Sequence, residues 1–261
     1  MKKLLLLSFC AFLCSALAIE AQQQSSRFRI GVEYGIFELE GKIDDRWEFR
    51  QTKKNHPTHD SFSGNENVTG RGDARYTGLK SELSIWDNRV TLSSGLRYTL
   101  IKERISPSMN SQLYLFHPST QGVELFRVHG MSESLGYVGI PLEADILLWG
   151  RLSNWQTYVK GGVQAGVKVY ENTGLDFISK EMEKYKNDIL STAGKAPSDF
   201  FSYAYGSIGL RLILKHGTRL AIEGVFPPVY FTKNNFSLLT NQSYGGVQFL
   251  VTTPVDFFPR K

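Results

Sequence analysis

The sequence predicts an all-β chain: an eight-stranded antiparallel up-and-down transmembrane β-barrel with long exterior loops and one short loop helix. Three observations carry this reading. Period-2 alternation recurs in eight segments, and in each an aliphatic face opposes a face of Gly, Ser, Thr, Tyr and charged residues. The clearest runs are long enough to cross about 25 Å of hydrocarbon when tilted. The connections between segments alternate long and short, as in barrels whose termini and tight turns share one side of a membrane.

The segment Ser134 to Asn172 behaves as one hairpin. In its first half Val138, Ile140, Leu142, Ala144, Ile146 and Leu148 fall on one face, with Gly139, Glu143 and Asp145 on the other. In its second half Val159, Gly161, Val163, Ala165, Val167 and Val169 alternate with Tyr158, Lys160, Gly162, Gln164, Gly166 and Lys168. Trp149 and Trp155 bracket the short turn, where an interfacial belt places amphipathic rings.

The other strands follow in order. Arg27 to Glu40 sets Phe28, Ile30, Val32, Tyr34 and Ile36 against Arg29 and Glu33. Gly41 to about Arg75 loses the alternation and reads as a long loop. Tyr76 to Trp86 and Arg89 to Ile101 form a hairpin about Asp87-Asn88, a pair that tolerates positive φ. A second long loop, Lys102 to about Glu133, contains Pro107 and Pro118, which argue against a central strand. Beyond the long hairpin, Leu175, Ile178, Met182, Tyr185 and Ile189 recur at helical spacing and predict a short amphipathic helix. Strands six to eight cover Phe201 to Lys215, Thr218 to Phe226 and Ser243 to Thr252, with Pro227-Pro228 breaking the seventh. A ten-stranded alternative, using Ser111 to Phe116 and part of the first loop, stays open.

Composition sets further bounds. Residues 1–21 read as a cleaved signal peptide: Lys2 and Lys3, an apolar run from Leu4 to Leu17, then small residues, with cleavage after Ala18 or Ala21. Residues 22–261 then form the barrel domain, and the expected location is the bacterial outer membrane. Cys10 and Cys14 both lie in the leader, so disulfides and cysteine metal sites are not expected in the remainder. The formal charge of +5 is too mild to indicate a nucleic-acid partner. A mean hydropathy of −0.23 with 13% aromatic residues suits a barrel with polar loops.

The stretches Tyr137-Val138-Gly139-Ile140-Pro141-Leu142 and Tyr158-Val159-Lys160-Gly161-Gly162 resemble the porin-like outer-membrane β-barrel family that includes PorT-type proteins. The resemblance implies the barrel fold and no shared catalytic set.

The inward faces collect a candidate lumen charge network: Arg29, Lys80, Arg97, Lys160, Lys168, Arg211 and Arg219 against Glu33, Glu82, Glu143, Asp145 and Glu223. An eight-stranded barrel is filled by its own side chains, so a paired polar plug is expected rather than a conduction path. Trp86, Trp149 and Trp155 are the expected membrane-interface aromatics. All five histidines fall in predicted loops or a turn, and none sits on a strand beside a Ser. His56 and His59 make only a weak metal-site candidate, and Arg71-Gly72-Asp73 only a weak adhesion motif. The expectation is therefore a non-enzymatic protein without cofactor or metal. Its partners are outer-membrane lipid and envelope or surface proteins met through the exterior loops. A small porin or a transport and secretion accessory is the alternative, followed by an outer-membrane lipid-modifying enzyme.

Overall fold

The computed structural model describes residues 27–255, apart from 45–46, 54–67, 87, 108–110, 120–121, 151–152, 193–196, 215–216, 233–237 and 241–242. The expected leader, and the histidines His56, His59 and His216, lie outside the described residues. Among the described residues eleven strands form one antiparallel sheet: β1 (Phe28–Lys42), β2 (Glu48–Lys53), β3 (Thr69–Ile85), β4 (Val90–Ile105), β5 (Ser111–Ser119), β6 (Gly122–Trp149), β7 (Trp155–Phe177), β8 (Phe200–Ile213), β9 (Arg219–Val225), β10 (Val229–Tyr230) and β11 (Ser243–Pro254).

Eight of these close a ring, in the order β1, β3, β4, β6, β7, β8, β9, β11 and back to β1. The count of eight therefore describes the ring but not the sheet. β5 pairs with β6 and carries β2 on its other side, while β10 pairs with β8. The segment Ser111 to Ser119 is thus a strand, yet it builds outward from β6 without entering the ring. Pro118 is accommodated because it pairs with Val123 of β6 beyond Phe116, where the pairing with β2 ends. Among the described residues no strand pairs with it on the β2 side. Pro141 is placed by a similar device. The β4–β6 ladder passes from Ser94↔Leu142 to Arg97↔Gly139, leaving a gap where proline cannot donate.

The short turns share one end of the ring with the start of β1 and the end of β11. They use left-handed backbone at Trp86 (φ 48°), Asn88 (φ 62°), Gly150 (φ 90°) and Gly217 (φ 78°). Trp86, Trp149 and Trp155 all lie at this end, and the first two are largely exposed.

Around the ring, outward residues are apolar and exposed next to the turn end: Leu79 is 65% exposed, Leu142 58% and Val167 56%. A soluble sheet would cover such residues, and their continuity around the ring makes an apolar belt. Farther up the same strands the outward residues become charged. β1 changes after Ile36 to Glu38, Glu40 and Lys42; β3 carries Arg71, Asp73 and Arg75 above Thr77; β4 changes after Leu100 to Lys102 and Arg104. The interior changes in the opposite sense, from charged below to apolar above.

Long exterior loops were expected between Gly41 and Arg75 and between Lys102 and Glu133, and much of both is strand instead. Arg71-Gly72-Asp73 lies within β3, and His117 and His129 lie in β5 and β6. Two bulges explain why alternation fails in the upper hairpin. Val169 is skipped between the pairs Gly136↔Tyr170 and Tyr137↔Lys168, and His129 is skipped between Val128↔Phe177 and Gly130↔Asp176. The extra residue at Val169 turns Leu175 and Phe177 inward. Leu175 is therefore a strand residue, and the helical segment is shorter than expected: a 3-10 turn at Lys180–Tyr185 runs into α1 (Lys186–Thr192).

Two cross-strand pairs set the curvature of the wall. Tyr76 lies opposite Gly35, and Tyr158 lies opposite Gly209; a Cβ on either glycine would overlap the tyrosine ring. Gly161, by contrast, faces outward into open space. Gly209→Val should lower stability by about 1–3 kcal/mol through overpacking, whereas Gly161→Ala should leave it unchanged. Urea titration of the folded band on an unheated detergent gel compares the two.

Candidate functional site in the barrel interior

The interior is stacked in layers. Nearest the turn end, Arg29, Arg211 and Arg219 meet Glu82 and Asp145. Arg211 Nη2 donates to Asp145 Oδ2 (3.0 Å), Arg29 Nη1 to Ser84 Oγ (2.9 Å), and Arg219 Nη1 approaches Glu82 Oε2 at 3.5 Å. The Arg211 guanidinium also lies 4.2 Å from the centre of the Tyr158 ring. Three cations against two carboxylates leave this layer incompletely paired. Arg29 Nε, Arg211 Nε and Nη1, and Arg219 Nε are buried without hydrogen-bond partners, as are Thr91 Oγ1 and Gln156 Oε1.

The next layer is balanced. Arg97, fully buried, donates through Nε to Glu33 Oε1 (2.6 Å) and through Nη2 to Glu33 Oε2 (2.9 Å) and Glu143 Oε1 (2.7 Å). Its Nη1 donates to Gln164 Oε1 (3.0 Å) and to the Tyr205 hydroxyl oxygen (3.1 Å). Lys80 pairs with Glu143, and Lys160 pairs with Glu223. Glu223 also accepts from Tyr158 (2.7 Å) and Ser207 (2.8 Å), and Glu33 accepts from Gln248 (3.0 Å). Three carboxylates thus answer three cations, and each carboxylate accepts several donors, the condition under which charges tolerate burial.

Above the charges lies an aromatic girdle of Phe37, Tyr76, Tyr137, Phe201, Tyr203 and Tyr205, packed with Leu39, Ile101, Leu135 and Val225. Tyr137 and Phe201 stack with ring centres 4.8 Å apart. Lys168 stands at this upper level, apart from the buried charges, and pairs with Glu171 (2.7 Å) and Asp199 (3.0 Å). The remaining eleven of the expected lumen charges are all buried inside the ring.

Higher still, Glu103 and Glu133 face each other across β4 and β6. Above them an apolar cap joins Ile43, Trp47, Phe49, Ile105, Leu113, Leu115, Phe126, Met131, Phe177, Leu238 and Leu239, closed from the side by Ile189 of α1. The charge pairing partners, the girdle and the cap, including the fourth tryptophan, were not foreseen from the sequence. The inward alternation Phe37-x-Leu39 on β1 was the available signal for the girdle.

Glu103 lies above the apolar belt, level with outward Lys102 and Arg104. Burial, reinforced by the neighbouring Glu133, pushes its carboxyl well above the usual range, against the opposing effect of backbone N–H donors from Leu238 and Leu239. Leu238 N–H donates to Glu103 Oε2 at 3.1 Å. A raised acid pKa means that stability is greatest with the carboxyl protonated and falls as pH rises through the raised value. The urea midpoint of unfolding should therefore fall from acid to neutral pH, and Glu103→Gln should remove that part of the dependence.

Breaking the Arg97 cluster should cost more. Arg97→Met leaves Glu33 and Glu143 under-compensated and should lose about 3–5 kcal/mol in urea unfolding. Adding Glu33→Gln should recover part of the loss.

Comparison with known proteins adds little to this geometry. No protein-family model matches the chain, and no curated protein matches it. Among solved structures, the translocator domain of autotransporter NalP from Neisseria meningitidis is similar at 8% identity and a TM-score of 0.30, covering 94% of each chain.

Proposed function

We propose that the chain is an outer-membrane β-barrel with a sealed interior, acting through the part that projects beyond the membrane as a surface interaction or envelope-structural protein. The observation that carries this reading is the stacked filling of the ring: two charge layers, an aromatic girdle and an apolar cap in series. A small porin needs a continuous wet path, and each of the last two layers interrupts one. The belt of exposed Leu, Ile and Val supports the membrane placement, with tryptophans at the turn end. The resemblance of Tyr137–Leu142 and Tyr158–Gly162 to PorT-type barrels points the same way.

The projecting part is a folded platform. β2, β5 and the upper halves of β6 and β7 stand above the belt, bound by the cap and flanked by α1. Such a platform offers a fixed surface to a protein partner, at lower ordering cost than mobile loops. The reading includes no catalytic role. The nearest candidate among the described histidines, His129, points outward and is exposed at a bulge.

In planar bilayers the purified folded protein should give no reproducible conductance steps, and its unboiled form should migrate as a compact band on a cold detergent gel. Regular steps would assign it to the transport components instead, and absence of a compact band would remove the membrane placement.

A further inference from the structure

The outward faces of β3, β4 and β6 carry a basic patch directly above the apolar belt. Four rows of residues, each crossing the three strands in register, define it. From below they read Thr77, Tyr98, Val138; then Arg75, Leu100, Gly136; then Asp73, Lys102, Ser134; then Arg71, Arg104, Ser132. Strand rise and tilt place the two upper rows about 5–10 Å above Leu100. The headgroup zone of a bilayer occupies about that depth on each side of the hydrocarbon.

Two features of the patch point to an anion. Arg71 and Arg104 are direct cross-strand partners on one face, and like charges so placed repel. Neither they nor Lys102 makes an ion pair among the described residues. The acid in the patch is already engaged, since Asp73 holds Arg75 at 2.6 Å; on β1 Glu38 stands opposite Asp73 and Glu40 opposite Arg71, without an ion pair between Glu40 and Arg71. Between these strands the surface forms a shallow depression of about 390 Å³, lined by Arg71, Asp73, Lys102, Arg104, Ser132 and Ser134, with Glu103 and Glu133 buried beneath it on the inward side of the same strands. With Asp73 turned to Arg75, two guanidinium groups, an ammonium and two hydroxyls are left around one hollow and match the acceptor oxygens of a phosphate monoester.

We infer that this face binds the phosphorylated headgroups of lipids in the leaflet next to the projecting platform. The inference rests on the outer-membrane reading, because only a membrane at the level of Leu100 brings lipid phosphates to this height. The belt below and the basic rows above are continuous on the same strands, so a lipid whose chains lie along Leu79, Leu96 and Ile140 presents its phosphate to the hollow. A protein partner would not need that alignment.

The test uses the full-length folded protein in detergent, examined by native mass spectrometry with a diphosphorylated glycolipid and its dephosphorylated form. The native chain should retain the phosphorylated lipid at least roughly tenfold better. Arg71→Gln/Arg104→Gln should lose that preference, while Arg89→Gln, a charge removed at the turn end, should keep it. Loss of the Arg–Arg repulsion should also raise the unfolding temperature of the double variant without lipid and lower it, relative to the native chain, with phosphorylated lipid present. A double variant that keeps the preference, or a native chain without one, overturns the proposal. So does displacement of the lipid by equimolar inorganic phosphate, which would make the patch a site for free anions. A cold gel on the same samples separates the two levels of failure. A compact band without lipid preference defeats this inference alone, whereas no compact band defeats the membrane reading beneath it.

Discussion

The guanidinium of Arg97 is the point on which the ring depends. From β4 it reaches Glu33 on β1, Glu143 on β6, Gln164 on β7 and Tyr205 on β8, and it lies 4.3 Å from the centre of the Tyr76 ring on β3. Of the two ring strands it does not touch, β11 is joined one step away, through Gln248 to Glu33, and β9 farther along, through Glu223 to Lys160, whose ammonium lies 3.8 Å from Glu143. A closed ring of eight strands leaves room for little more than side chains. A charge placed there has no water to return to, so the network must be complete or costly. The middle layer is complete. The layer at the turn end, with its unpartnered arginine nitrogens, carries the incomplete share.

Neutralisation and sealing are separate tasks performed at different heights. Charged residues fill the interior where exposed aliphatic side chains surround the wall, and apolar residues fill it where charged side chains surround the wall. The aromatic girdle lies between them and shares members with both: Tyr205 packs in the girdle and bonds Arg97, while Tyr76 packs there and donates to Gln248 (2.6 Å). These hydroxyls let bulky rings end on a polar layer without leaving a buried acceptor unmet.

Much of the ring was legible in the sequence because each of its strands meets one medium over most of its length. Ile30, Val32 and Tyr34 against Arg29 and Glu33 leave no doubt about which way β1 faces, and the same holds for Leu92 and Leu96 against Ser93 and Arg97. Legibility ended where the medium changed. Arg71, Asp73 and Arg75 alternate with Gly70, Gly72 and Ala74, a strand pattern in water that looks like a polar loop when an aliphatic face is being sought. The bulges at His129 and Val169 removed the remaining periodicity, and the shifted positions of Leu175 and Ile178 then imitated a helix. Which carboxylate answers which cation was not legible at all. Lys80 meets Glu143 from across the interior, although Glu82 lies two residues away on its own strand.

In the outer-membrane reading proposed above, the reversal of polarity along β1, β3 and β4 also fixes how deep the barrel can sit. Sliding the chain along its neighbours by one residue would turn Arg97 onto the apolar outer face and, on the same strand, Ile105 onto the charged one, so two opposite penalties oppose every such slip. In that reading, sinking the whole barrel by two residues keeps each side chain on its own face but draws Lys102 into hydrocarbon, while rising by two lifts Leu100 and Ile36 out of it. The strands therefore carry their own waterline, marked between Leu100 and Lys102 and between Ile36 and Glu38, and on that reading it sets the height of the platform above the surface.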